Sequence, residues 1–109
     1  MKGVEVVAVL VTGPDRATLE ALGRTLVEDR LIACANIIGG VTSIFRWEGA
    51  VETSDESLAI LKTTRSRVDA LEKRVAWLHP YAVPELLVLE VDSGAAPYLD
   101  WVRSAVAEE

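Results

Sequence analysis

Cysteine and histidine each occur once, as Cys34 and His79, and that scarcity limits the chemistry open to the chain. A lone cysteine makes no internal disulfide and nothing reads as an export signal, so the predicted compartment is the cytoplasm. No Cys-x-x-Cys or His-x-x-x-His pair exists, which excludes a closed zinc site within one chain. No apolar run reaches the roughly 18 residues of a membrane helix, because Arg, Asp or Glu interrupts each one. The N-terminal stretch carries Glu5 among its apolar residues and reads as a strand, not a signal peptide. Positive charge is also short. With 11 Lys and Arg against 17 Asp and Glu, the net charge of -6 argues against nucleic acid as the partner. The densest basic group, Arg65, Arg67, Lys73 and Arg74, shares a predicted helix with Asp69 and Glu72 and is a solvated face. Neither nucleic acid nor a membrane is an expected partner. Motifs for an activated serine, a phosphate loop, a dinucleotide fold or a zinc protease are all missing.

What is present is a chain of 109 residues, half of them hydrophobic, enough for one domain with a real core, taken as residues 1–109. Val4 to Val11 is β-branched and nearly continuously apolar, which predicts a central strand buried on both faces. Thr12-Gly13-Pro14-Asp15 turns the chain, and Asp15 is placed to cap a helix from Arg16 to about Arg30. Leu19, Leu22, Leu26 and Val27 form its apolar stripe. A second strand, Leu31 to Ile38, is interrupted by Gly39-Gly40, a predicted bulge, and resumes from Val41 to Trp47. Glu48-Gly49 predicts a tight hairpin turn and a return strand to about Thr63, whose polar middle should project beyond the body. Such a ribbon is marginal alone and should pack on something, most economically a second copy of the chain. Ser66-x-x-Asp69 resembles a capping box, and Val68, Leu71, Val75 and Leu78 line the helix that Pro80 ends. Leu86 to Val91 reads as a short buried strand, and Pro97 opens a last helix with a broad apolar face. The order β-α-β-β-α-β-α predicts an α+β, ferredoxin-like fold: a four-stranded sheet with the first and last strands adjacent, a long projecting hairpin and a C-terminal helix.

Candidate chemistry centres on Leu78-His79-Pro80-Tyr81-Ala82-Val83-Pro84-Glu85, a proline-stiffened joint between a helix and a buried strand. The bland reading is a helix stop whose His caps carbonyls and whose Tyr covers the core. For metal, the natural ligands are His79 and Cys34 with Glu85 in support; copper can be held there if a second subunit adds ligands. Cys34, between Ala33 and Ala35, also reads as a small core residue. Lys62, Glu85, His79 and Tyr81 are acid/base-capable, with Lys62 either partly buried or a strand-end residue in solvent. Of the three tryptophans, Trp77 should pack beside the core, while Trp47 and Trp101 suit a subunit interface or a ligand wall.

Taken together, Thr12-x-Pro14, Leu31-x-Ala33-Cys34-x-Asn36, Ser43-x-Phe45-x-Trp47-x-Gly49, Glu56-x-x-Leu-x-x-Leu-Lys62-Thr63, His79-Pro80-Tyr81-x-x-Pro84-Glu85 and Tyr98-Leu99-x-Trp101 resemble the CutA family of divalent cation tolerance proteins nearly end to end. The resemblance implies a ferredoxin-like fold and a homotrimer whose long hairpins pair across subunits. It also implies a link to heavy-metal tolerance, with copper and other divalent ions as ligands, and the leading reading is a non-enzymatic trimer. Some members carry a cysteine before the Thr-x-Pro turn and a second histidine before His-Pro-Tyr; here those positions are Val11 and Leu78, and only His79 remains of that set. Among the shared residues, Asn36, Trp47, Lys62, Tyr81, Glu85 and Trp101 are expected to line a cleft between subunits. Two alternatives are a small-ligand sensor resembling the trimeric PII signalling proteins, and an enzyme acting on a small metabolite in that cleft.

Overall fold

The computed structural model describes residues 5–108. Its elements run β1 (Val6–Gly13), α1 (Arg16–Glu28), β2 (Cys34–Trp47), β3 (Ala50–Thr64), a 3-10 turn (Arg65–Arg67), α2 (Val68–Leu78), β4 (Leu87–Glu90) and α3 (Ala96–Ala105). The strands form one antiparallel sheet in the order β2-β3-β1-β4, so the first and last strands are neighbours as the ferredoxin-like reading requires. Val4, expected in the first strand, lies outside the described residues.

Local chemistry fixes most boundaries. The Asp15 carboxylate accepts from the Thr18 amide at 2.7 Å, capping α1 as predicted. That helix stops at Glu28, two residues early, because Arg30 turns left-handed (φ 59°) and Leu31 donates back to the Leu26 carbonyl. Gly39-Gly40 is the predicted bulge: the β2–β3 register shifts between Ile38 and Val41, with Gly40 at φ +75°. Glu48 and Gly49 both take positive φ, so Trp47 pairs with Ala50 across a two-residue turn. One cap differs from expectation. Ser66 does not cap α2; its hydroxyl meets that of Thr64 at 3.0 Å, and the 3-10 turn leads into the helix instead.

Side chains alternate along each strand, and the two sides of the sheet differ. Val7, Val9 and Val11 face α1 and α2 and form the core with Leu19, Leu22, Leu26, Leu61, Leu71 and Val75. Val27 stays outside that stripe, exposed on α1. The other side is only partly covered, which departs from the expectation of a first strand buried on both faces. There α3 packs Val102 and Val106 on Val6 and Ala33 at one end. The rest is left open, with Leu87 on β4 and Ile38 on β2 about half exposed (53% and 46%) around half-buried Leu10, Leu58 and Ile60. The apolar run of β1 therefore supplies two faces, of which the described residues cover one and, through α3, only an end of the other.

β1 ends opposite Ser57, so Val41–Trp47 and Ala50–Glu56 pair only with each other and project as a ribbon. The long axis reaches 44 Å against 26 and 22 Å across. Trp77, expected to pack beside the core, is instead 80% exposed. The α2 stripe of Leu71 and Val75 leaves it on the far side of the helix.

Candidate functional site

The joint after α2 is held by one imidazole. His79 takes extended backbone (φ -74°, ψ 139°) ahead of Pro80, ending the helix where the sequence predicts. Its buried ring bridges two segments: Nε2 lies 2.7 Å from the Thr12 carbonyl of β1, and Nδ1 accepts the Tyr81 amide at 3.1 Å. A carbonyl only accepts, so Nε2 carries the proton and both ring nitrogens are engaged. The tie folds Tyr81 back toward the root of the ribbon, where its hydroxyl donates to Glu56 Oε2 at 2.7 Å. Burial pushes the Tyr81 hydroxyl up to about 12, with the Glu56 hydrogen bond and charge adding to the effect. Tyr81 is therefore a proton donor at any ordinary pH.

Between this joint and the ribbon lies a cleft of about 590 Å³. Trp47, Tyr81 and Glu85, all expected at a ligand cleft, line it together with Phe45, Glu52 and Glu56. The last three went unassigned from sequence. The signal for them was the Glu48-Gly49 turn: once Trp47 pairs with Ala50, Phe45 falls opposite Glu52 and shares a face with Glu56.

The other expected cleft residues sit elsewhere on the open side of the sheet. Lys62 donates to the Asn36 side-chain oxygen across the β2–β3 pair. Cys34 is directly opposite Lys62, and its Sγ lies 3.6 Å from the Tyr98 hydroxyl. Tyr98 in turn stacks against Trp101, with ring centroids 5.6 Å apart. Within one chain the predicted cleft residues thus form two groups, one at the joint and one beside α3.

The three predicted metal ligands are not gathered. Glu85 lines the cleft, Cys34 contacts Tyr98, and His79 is committed at both nitrogens. Among the described residues no three His, Cys, Asp or Glu side chains are placed to hold a metal ion together. The described donors of a single chain do not gather around one ion. Chemically, the cleft offers ring faces and negative charge, which suit a cation.

The sequence matches the family described as "CutA1 divalent ion tolerance protein" over residues 7–105. It is 45% identical over 95 residues to the divalent-cation tolerance protein CutA of Thermus thermophilus, covering 87% of this chain and 92% of that one. The crystal structure of CutA1 from Oryza sativa superposes with a TM-score of 0.93 at 36% identity, over 98% of each chain. A periplasmic divalent cation tolerance protein CutA from Archaeoglobus fulgidus gives 0.91 at 28% identity, over 94% of this chain and 99% of that one.

Proposed function

This chain belongs to the CutA1 divalent ion tolerance family, and on that premise we propose that it is a homotrimeric, non-enzymatic cation-tolerance protein that binds divalent metal ions where its copies meet. The observation that carries the reading is the open side of the sheet. A soluble protein rarely leaves a contiguous apolar face to water, and copies of the same chain cover such a face symmetrically. The projecting ribbon supports the same assembly, since two strands alone are marginal and gain partners from a neighbour.

Metal binding follows from assembly in this reading. Glu85 and its neighbours lie on the open side, and with no complete ligand set among the described residues of one chain, a second copy completes the site in this reading. His79 holds the joint and reaches a metal such as copper only by giving up Thr12 or Tyr81. The free thiol of Cys34 fits a cytoplasmic setting.

Calorimetric titration of metal-free protein with Cu(II), Zn(II) and Cd(II), beside Glu85→Ala, tests the reading. Saturable uptake that the variant abolishes is expected, with the assembly unchanged by light scattering. Absence of uptake by the intact assembly would remove divalent metal as a direct ligand.

A further inference from the structure

The lining of the cleft at the joint divides by chemistry. Phe45, Trp47 and Tyr81 present ring surface, and Glu52, Glu56 and Glu85 present carboxylates. No lysine, arginine or histidine lines it, and none of the described cations pairs with these three carboxylates. Glu56 accepts the Tyr81 hydroxyl, which leaves its charge in place. Rings beside uncompensated negative charge attract a cation through their π faces, and weakly hydrated organic cations profit most.

Spacing selects among cations. Glu52 and Glu56 lie four residues apart on one face of β3, opposite Phe45 and Val41, so their backbones are roughly 13 Å apart. A divalent metal ion binds oxygen at about 2.0–2.6 Å and so engages one of these carboxylates, not both. A linear chain with several ammonium groups spans the distance. Its methylenes lie along the rings, and its charges meet the carboxylates in turn. We infer that the cleft binds a linear aliphatic polyammonium ion, with Glu52 and Glu56 as anchors and Trp47 as the wall. The cleft shares Glu85 with the proposed metal binding, but its anchors are Glu52 and Glu56, so titration of metal-free protein tests it apart from that reading.

Spermidine is the probe. It is titrated at low salt into intact protein freed of metal by a chelator that is then removed, with calorimetry, tryptophan emission and light scattering read together. Saturable binding near one per chain is expected, with a shift in emission. Glu52→Gln and Glu56→Gln should each weaken it about tenfold, as loss of a charged hydrogen-bonding partner does. Trp47→Leu, which keeps apolar bulk and removes the ring, should weaken it roughly fivefold. An uncharged diol of similar length should not bind. No saturable binding, or binding that all three variants leave unchanged, overturns the proposal. So does binding that responds to the Glu variants alone while the Trp47→Leu assembly is intact, because that is general attraction to a chain of net charge -6. If Trp47→Leu disturbs the assembly, the two Glu variants are set against Glu72→Gln, exposed on α2 away from the cleft: equal weakening by all three is general attraction and overturns the proposal, and weakening by Glu52→Gln and Glu56→Gln alone upholds it.

Discussion

Replacing His79 with alanine should destabilise the protein whether or not metal is present. The residue is 7% exposed, and its ring makes two hydrogen bonds, to the Thr12 carbonyl at 2.7 Å and from the Tyr81 amide at 3.1 Å. Each contributes about 1 kcal/mol net, and leaving their partners unsatisfied in a part-buried joint adds a further 1 or so, giving roughly 3 kcal/mol per chain. His79→Gln keeps a donor toward Thr12 but not the second acceptor in the same geometry, so it should lose about half as much. Urea unfolding in the presence of a chelator, at matched protein concentration because assembly couples to stability, measures both. Tyr81 should respond in parallel: with the joint loosened, its hydroxyl leaves Glu56 and cleft affinity falls. A variant as stable as the parent without metal, losing stability only when metal is supplied, would refute the assignment of His79 as a structural tie and restore it as a ligand.

Other outcomes follow from the same geometry. Leu89→Asp places a carboxylate on the open side of the sheet and should break the assembly, whereas Trp77→Ala, on the outer side of α2, should not; sedimentation separates the two. Leu26→Ala, fully buried under the sheet, should lose roughly 2–5 kcal/mol in the same urea assay. Tyr81 is raised from 10.0 to about 12 in the fold, so its contribution is intact below pH 10 and is lost as pH rises toward 12. Absorbance titration should show delayed phenolate formation, and Glu56→Gln should bring it down.

Where one residue type carries one local meaning, the fold was legible from sequence. Asp15 caps, Gly39-Gly40 bulges, Glu48-Gly49 turns and Pro80 stops a helix, each where its backbone preference or donor chemistry demands. Legibility failed where identity underdetermines direction. Val27 and Trp77 sit one position off their helical stripes, and a single step around a helix turns an apolar side chain from core to solvent. The apolar run of β1 announced burial on both faces but not that the second cover is missing within the chain. Trp47, Tyr81 and Glu85 could be picked out for one cleft because each is rare or follows a proline. Phe45, Glu52 and Glu56 became visible only with the register of the ribbon, since a strand shares side chains between faces that sequence does not name. Cys34 and His79 invite a metal reading by their types, while within one chain they meet Tyr98 and, for His79, Thr12 and Tyr81, contacts that sequence does not name.

The mass of the protein in solution bears most directly on the proposed assembly, because the open face of the sheet, the ribbon and metal binding all refer to it. Light scattering on the untagged protein over a hundredfold range of concentration should return three times the 11.8 kDa chain, about 35 kDa, and Leu89→Asp should reduce it. A particle of 11.8 kDa at every concentration would mean that the open face of the sheet is stable in water, and the trimer would have to be given up.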